Sequence, residues 1–318
     1  MRAAPSLDVV VPCYNEEEVL PETARQLGAL LDALLAAGSI TAGRALFVDD
    51  GSRDATWALI EALNAADPRL GGVKLSRNRG HQNALMAGLA TATADVVVSI
   101  DADLQDDPAI IAAMVDAYRG GAEIVLGVRS DRGSDSGFKR VTAQGFYRFL
   151  HAMGVEVVYD HADYRLMSRR ALAALAEYPE TNLFLRALIP QLGFTVASVP
   201  YRRAERFAGE SKYPLGKMLA FALDGVTSFS TRPLRLITLL GFLVSSVSFG
   251  LGLWALFTAV FTRDAIPGWA STVVPIYLIC GVQLLCIGII GEYIGKIYFE
   301  TKRRPRFIVD RVLGGGEG

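Results

Sequence analysis

Two aspartates, one residue apart, directly follow a run of apolar residues. Asp101 and Asp103 come after residues 96–100, a segment typical of a buried strand. Because two carboxylates this close cannot both lie in an apolar core, we expect them at a ligand site. Their reach suits a hard divalent cation such as Mg²⁺ that also binds a diphosphate. By itself, the motif is equally well explained as a turn before a helix that begins near Pro108.

Two other apolar segments also end in polar loops. Residues 49–52 (Asp-Asp-Gly-Ser) follow the segment 45–48, and residues 12–17 (Pro-Cys-Tyr-Asn-Glu-Glu) follow the segment 9–11. In an open α/β sheet, ligands bind outside the carboxyl ends of the strands. The three loops together favour the metal site over the simple turn, and they indicate chemistry on a nucleotide sugar.

The first 200 residues alternate between strand and helix patterns. Strands are predicted at residues 8–11, 45–48, 73–75, 96–100, 123–128, 159–167 and 194–201. Helices are predicted at residues 19–35, 56–65, 82–90, 109–118, 138–153 and 182–192. This alternation predicts an α/β domain over residues 1–213, with a mostly parallel sheet between helices.

The excess of apolar residues lies further along the chain. The sequence is 51% hydrophobic, and residues 236–261 and 269–291 contain no charged side chain. As helices they would be roughly 39 and 34 Å long, against a hydrocarbon core of about 30 Å. We therefore predict two transmembrane helices within residues 234–299, preceded by an amphipathic interfacial helix over residues 214–233.

Basic residues predict the orientation of this hairpin. Arg232 and Arg235 precede the first span and a basic tail, residues 300–318, follows the second, whereas the connecting loop holds only Arg263 and Asp264. By the positive-inside rule, both termini and the catalytic domain are expected to be cytoplasmic, on a multi-pass inner-membrane protein. The three cysteines suit a reducing compartment, and no secretory signal peptide is expected.

Seven segments in order carry a resemblance to a known family. They are residues 11–17 (VPCYNEE), 49–56 (DDGSRDAT), 76–85 (SRNRGHQNAL), 101–108 (DADLQDDP), 163–169 (DYRLMSR), 206–218 (RFAGESKYPLGKM) and 291–305 (GEYIGKIYFETKRRP). The chain resembles the family-2 inverting glycosyltransferases, specifically the polyisoprenyl-phosphate glycosyltransferases, which include bactoprenol glucosyltransferases and dolichol-phosphate mannose synthases. Each motif is weak alone, but their order together with the predicted hairpin is specific.

The resemblance implies a GT-A-type nucleotide-sugar-binding domain and a Mg²⁺ or Mn²⁺ cofactor. Asp103 would be the main metal ligand, with Asp101 and Gln105 beside it. The pocket for base and ribose would be formed by Pro12, Tyr14, Glu16, Asp49 and Asp50. Two of these have simpler explanations, because Tyr14 could be a packing residue and Asp49 a helix cap.

Asp163 is the candidate catalytic base by the same resemblance. A lipid monophosphate is already largely anionic at neutral pH, since its second pKa is about 6, and it needs no strong base. Asp163 is therefore equally well interpreted as a positioning residue that steadies Arg165 or the positive charge developing on the sugar. A plain salt bridge to a neighbouring arginine is a third interpretation.

Basic side chains provide a predicted grip for the acceptor phosphate and the diphosphate, because guanidinium groups bind phosphate oxygens in pairs. The residues of this grip are Arg129, Lys139, Arg140, Arg206, Ser211 and Lys212. A solvated basic face is the alternative for Lys139 and Arg140. His81 either borders the donor pocket or caps a helix, and no histidine has the spacing of a zinc site.

We expect sugar transfer from a nucleotide sugar to polyprenyl phosphate, with UDP-glucose and undecaprenyl phosphate as the favoured pair. GDP-mannose and a UDP-aminoarabinose derivative are alternative donors. A processive synthase is disfavoured, since none of the three tryptophans lies in a Gln-x-x-Arg-Trp element. An inactive membrane scaffold is the non-enzymatic alternative. A homo-oligomer is expected from the glycines of the spans, and nucleic acid is not an expected partner.

Overall fold

The computed structural model describes residues 1–129, 161–180, 185–201, 232–261 and 269–314. The strands are β1 (Ser6–Cys13), β2 (Ala42–Asp49), β3 (Leu70–Leu75), β4 (Val96–Ser99), β5 (Ile124–Arg129), β6 (His161–Ser168), β7 (Val196–Tyr201) and β8 (Val309–Leu313). The helices are α1 (Leu20–Ala36), α2 (Thr56–Ala66), α3 (His81–Thr91), α4 (Ile110–Arg119), α5 (Arg169–Ala176), α6 (Leu185–Gln191), α7 (Arg232–Phe261) and α8 (Trp269–Thr301).

All eight described strands form one sheet in the order β7-β5-β6-β4-β1-β2-β3-β8. Its centre is parallel, with β1 between β2 and β4 and with β3 beyond β2. Strand β6 runs antiparallel between β4 and β5, and β8 runs antiparallel to β3. The prediction of an α/β domain with a mostly parallel sheet is confirmed.

Apolar side chains on successive strand residues point to opposite faces of the sheet, as a pleated strand requires. In β1, Val9 and Val11 are buried under α1, α2 and α4, whereas Val10 is buried on the other face under α3. The closest approach is at Gly88 of α3, where a Cβ atom would lie 2.3 Å from Val10 Cγ1. This glycine lets α3 pack directly on the strands that carry the site.

Most predicted elements have a counterpart within a few residues in the structure, but two elements were missed. Helix α5 begins after Ser168, whose Oγ accepts a hydrogen bond from Ala171 N and so forms an N-cap that was not predicted. Strand β8 was not predicted at all. The predicted helix at residues 138–153 and residues 214–231 of the predicted interfacial helix lie outside the described residues, while Arg232 and Pro233 open α7.

The C-terminal segment belongs to the same compact unit as the N-terminal sheet. Strand β8 pairs with β3 from Gly72 opposite Leu313 to Leu75 opposite Val309. Residues 300–318, predicted as a basic tail, therefore contain an edge strand of the main sheet. The unit is built from both ends of the chain.

Helices α7 and α8 form a second compact unit. Large apolar side chains are exposed along both, among them Phe242 at 72% and Leu284 at 70%. Among the described residues, one segment, Ile279–Thr301 of α8, is long and apolar enough to cross a membrane, and Pro233–Val244 of α7 is a shorter apolar stretch. The described residues therefore contain a single candidate span, and the second crossing stays a prediction.

Candidate active site

The loops after β1 and β2 are joined into one structure by hydrogen bonds. Asp50 N donates to Cys13 O at 2.9 Å, where the two parallel strands end side by side. Beyond that point, Asn15 N donates to Ser52 Oγ at 3.0 Å, and Glu16 N donates to Thr56 Oγ1 at 2.9 Å. Short hydroxyl side chains after β2 thus fix the backbone after β1.

Asp49 and Asp50 are adjacent but have different roles. Asp49 is fully buried, and its Oδ1 accepts from Ser52 N at 3.0 Å. Its Oδ2 is buried and has no hydrogen-bond partner among the described residues. Asp49 therefore caps a turn rather than a helix, since α2 begins only at Thr56, and one of its oxygens can accept a hydrogen bond from a ligand.

Both oxygens of Asp50 are engaged by the loop that leads into α3. Arg79 N donates to Oδ1 at 2.7 Å, and Gly80 N donates to Oδ2 at 2.8 Å. Burial raises the pKa of Asp50, and these two backbone hydrogen bonds oppose that rise. Asp50 thus holds residues 79–80 in place, next to the predicted pocket.

The loop with the two aspartates is held from the side of α1. Thr23 Oγ1 donates to Ala102 O at 2.9 Å, and Ile100 N continues the ladder to Val10 O at 3.1 Å. Within the loop, Gln105 N donates to Asp103 Oδ1 at 3.2 Å around Leu104, whose φ is 55°. The turn leaves the side chain of Asp101 35% exposed at the carboxyl edge of the sheet.

Two buried tyrosines support this loop from below. Tyr201 OH donates to Asp106 Oδ1 at 2.5 Å, and Tyr164 OH donates to Asp107 O at 2.8 Å. Their rings meet edge to face at 5.5 Å. Burial raises the pKa of Tyr164, as do the charges of Asp106 and Asp107. Neither tyrosine was predicted as a site residue, although each lies in a predicted strand.

Strand β6 brings Asp163 to the same edge. It pairs antiparallel with β4 so that Arg165 lies opposite Ser99, and Ser99 Oγ donates to Asp163 O at 2.5 Å. His81 Nε2, at the start of α3, lies 3.6 Å from Asp101 Oδ1 and 3.6 Å from Asp163 Oδ2. The structure therefore brings Asp101, Asp163 and His81 together from three elements.

The charges of this cluster shift its titration. Burial raises the pKa of Asp101; the nearby His81 opposes this, and the carboxylates of Asp163, Asp106 and Asp103 raise it further. Burial lowers the pKa of His81, but its hydrogen bond to Asp163 and the charge of Asp101 outweigh burial and raise it overall. Both shifts favour the protonated forms, because carboxylates crowd at this edge, and a bound cation would offset their repulsion.

The donor set fits a divalent cation that shares its ligands with a substrate. The described residues contain no group of three His, Cys, Asp or Glu side chains arranged as a metal cage. Mg²⁺ in nucleotide enzymes typically takes one or two carboxylates and completes its shell with phosphate oxygens and water. Asp101 and Asp103, with Gln105 beside them, offer such a partial set at an accessible edge.

The remaining predicted site residues are placed in part. Tyr14 is 41% exposed, which contradicts a packing role, while Pro12 is buried and Glu16 is half-buried. Arg129 ends β5, in register with Tyr201. Five predicted phosphate-binding residues lie outside the described residues: Lys139, Arg140, Arg206, Ser211 and Lys212. The assignment of all these residues to ligands stays a prediction.

Comparison with known proteins identifies the family. The model of "Glycosyl transferase family 2" matches residues 8–175. The uncharacterized glycosyltransferase YkoT of Bacillus subtilis is 50% identical over 97% of this chain and 92% of its own. The prophage bactoprenol glucosyl transferase homolog of Escherichia coli is 39% identical over 96% and 99% of the two chains. The chain belongs to glycosyl transferase family 2, and the resemblance stated from its motifs is confirmed.

A second bactoprenol glucosyl transferase, from Shigella phage SfX, is 39% identical over 95% of this chain and 98% of its own. Among solved structures, mannosyl-3-phosphoglycerate synthase from Rubrobacter xylanophilus is similar over 73% of this chain and 74% of that one. Its TM-score is 0.49 and its sequence identity is 16%.

Proposed function

We propose that this protein transfers a sugar from a nucleoside diphosphate to polyprenyl phosphate at the cytoplasmic face of a membrane, with UDP-glucose as the favoured donor. The observation that carries the proposal is the meeting of Asp101 and Asp163 at His81, at the carboxyl edge of the sheet. The names of the 39% identical relatives, bactoprenol glucosyl transferases, support both the sugar and the acceptor.

The nucleoside is proposed to bind between the first two loops. Asp49 Oδ2 is a buried acceptor without a hydrogen-bond partner among the described residues. Uracil and guanine each carry a ring N–H that could donate to this oxygen. Tyr14 is exposed beside this loop and offers a ring face. These two features support a uridine or guanosine donor.

The diphosphate is proposed to lie against the loop of residues 101–105. Asp101, Asp103 and Gln105 would hold a Mg²⁺ or Mn²⁺ ion there, which would neutralise the charge of the departing nucleotide. Fixing this loop by Thr23, Tyr164 and Tyr201 keeps the carboxylates in place before substrate arrives. Such preorganisation is a main source of electrostatic catalysis.

The acceptor phosphate is proposed to attack the anomeric carbon from the side opposite the diphosphate. A bond forms between a phosphate oxygen and the anomeric carbon as the bond to the diphosphate oxygen breaks, which inverts the configuration. Because the attacking phosphate is already anionic, no proton has to be removed from it. Asp163, which contacts Arg165 and His81, is proposed to position these cations rather than to act as a base.

Attachment to the membrane is supported by the path of the chain. Strands β3 and β8 are paired in one sheet, yet helices α7 and α8 separate them in sequence. A chain that leaves a domain and returns to it must cross a membrane an even number of times. Since one candidate span lies in α8, a second crossing by α7 would complete the proposed hairpin.

The test is transfer of labelled sugar into lipid by the purified full-length chain. The panel contains UDP-glucose, GDP-mannose and a UDP-aminoarabinose derivative, each with undecaprenyl phosphate and with Mg²⁺, Mn²⁺ or a chelator. We expect label in the lipid extract from UDP-glucose with a divalent cation. Absence of both lipid labelling and nucleotide release from every donor would contradict the enzyme proposal and favour a scaffold.

A further inference from the structure

The segment that follows α8 contacts the loop leading into the proposed donor site. Helix α8 ends at Thr301, and β8 begins only eight residues later. The ladder between β3 and β8 does not stop at the end of β3, because Ser76 N donates to Ile308 O at 3.0 Å. Ser76 is the first residue of the loop formed by residues 76–80.

The other end of this loop is held by Asp50, a residue of the predicted donor pocket. Arg79 N and Gly80 N donate to Asp50, and His81 follows as the first residue of α3. In the middle, a Cβ atom on Gly51 would lie 2.6 Å from Asn78 N, so the loop after β2 packs directly on it. Asp50, loop 76–80 and His81 are therefore attached to one another, and a shift of the loop would move all of them.

Side chains fix the C-terminal segment on both sides of Ile308. Phe307 packs against the core cluster that includes Ala84 and Leu85 of α3, and the Arg306 guanidinium donates to Tyr178 O. Further on, Leu313 packs on the opposite face of the sheet, and Arg311 pairs with Glu61 at 3.0 Å. The segment is thus attached to the loop, to α3 and to the sheet.

As an edge strand, β8 is held less firmly than the central strands. Val309 and Val312 are 36% and 43% exposed, whereas Val9 and Val10 of β1 are fully buried. Elements with few buried contacts open at a lower free-energy cost than the core of the same domain. Displacing residues 306–313 would therefore release the loop without unfolding the parallel centre of the sheet.

We propose that residues 306–313 are a positioning element of the donor site, which holds loop 76–80 so that Asp50 and His81 are in place to bind a nucleotide sugar. This inference rests on the proposed function for its ligand. It makes donor binding depend on the segment that directly follows the apolar helix α8.

The test compares full-length Phe307→Ala with Phe307→Leu, which keeps an apolar side chain at that position. Hydrogen–deuterium exchange of residues 76–83 and the Kd for UDP with Mg²⁺ are measured in detergent. In Phe307→Ala, we expect faster exchange in the loop, about tenfold weaker UDP binding and a raised KM for the donor. Phe307→Leu should restore most of the affinity.

Two controls separate positioning from general destabilisation. Leu30→Ala truncates a partly buried side chain of α1, and Arg25→Ala removes only an exposed ion pair on the surface of α1. Both should leave UDP binding unchanged even where Leu30→Ala lowers the melting temperature. Ser76→Pro, which removes the N–H donated to Ile308, tests the same link by a second route and should also weaken UDP binding.

If Phe307→Ala and Ser76→Pro both leave hydrogen exchange in residues 76–83 and the Kd for UDP unchanged, the inference is wrong. It is also overturned where the loop is released but UDP binds as in the wild type. Failure of the wild type to bind either UDP or GDP would instead contradict the proposed function. Loop exchange in the variants would then still show whether β8 holds the loop.

Discussion

Arg165 donates a hydrogen bond of 2.5 Å to Asp163 Oδ1, and both side chains are buried beside the central strand β4. The second carboxylate oxygen of Asp163 faces His81 Nε2 at 3.6 Å. The carboxylate of Asp163 is thus held on both sides, by Arg165 and by His81, which fixes its orientation. The geometry thus favours a positioning role for Asp163 over proton abstraction.

Asp163→Asn should lower turnover by less than the factor of about 10² to 10⁴ that a general base contributes. It should also destabilise the fold by about 3 kcal/mol, since it removes a charged partner from the buried Arg165. Steady-state kinetics and urea unfolding measure the two effects. Loss of the acidic limb of the pH–rate profile would instead identify Asp163 as the base.

The double variant Asp163→Leu with Arg165→Met separates stability from catalysis. Replacing a buried ion pair by apolar side chains of similar volume is often neutral for stability. We therefore expect the double variant to regain most of the free energy of unfolding that Asp163→Asn loses. Its turnover should stay low, because neither side chain can then orient His81 or a phosphate.

Asp103→Asn should lower turnover by several orders of magnitude without unfolding the protein, because the leaving diphosphate would lose its counter-ion. Asp116→Asn is the matched control, since Asp116 is an exposed aspartate of α4 away from the strand ends. Transfer rates and melting temperatures are compared for both. Wild-type activity of Asp103→Asn would refute the metal assignment.

Tyr201→Phe should weaken the metal site without removing a ligand. It deletes the hydrogen bond to Asp106 and leaves this buried carboxylate with one donor fewer, a loss of about 1.5 to 3 kcal/mol for a charged acceptor. We expect a higher half-saturating Mg²⁺ concentration and near-normal turnover at saturation. Tyr118→Phe, whose ring still lies under Arg2, is the control and should bind Mg²⁺ normally.

Local patterns were sufficient to predict the parallel centre and the three loops at its carboxyl edge. Apolar runs that end in Asp49 or Asp101 identify both a strand and the side on which it ends. Apolar runs do not show which distant strand pairs with β4. The approach of Asp163 to His81, which also lies near Asp101, was therefore not predicted. Antiparallel pairing over such separations is determined by tertiary packing.

Strand β8 was missed for a related reason. Its sequence, Val-Asp-Arg-Val-Leu, is short and follows a basic stretch, which favoured a tail. Most of its stabilisation comes from backbone pairing to the exposed edge of β3, and backbone groups leave no side-chain pattern. The tyrosine supports were also hidden, because a buried tyrosine in a strand is normally interpreted as core.

Acid should destabilise the loops of the proposed nucleoside pocket, because Asp54 becomes protonated there. Burial raises the pKa of Asp54, but hydrogen bonds from Thr56 and from Glu17 N outweigh it and lower the pKa overall. A lowered folded-state pKa stabilises the fold above the unfolded value of about 3.9, and that contribution is lost as pH falls through the folded value. As pH falls below about 3.9, Asp54→Asn should therefore lose less stability than the wild type in urea unfolding.

The even number of crossings implied by β8 can be tested by labelling from outside the cell. In a variant without Cys13, Cys280 and Cys286, a single cysteine replaces either Asp264, between the two apolar helices, or Arg311, which is exposed on β8. If α7 and α8 both cross, a membrane-impermeant maleimide should label Asp264→Cys in intact cells, and Arg311→Cys only after permeabilisation.

Labelling of Arg311→Cys in intact cells would place the catalytic sheet outside, where no cytoplasmic nucleotide sugar could reach it. Protection of both positions until permeabilisation would show that neither helix crosses, and the acceptor would then have to reach a surface-bound enzyme.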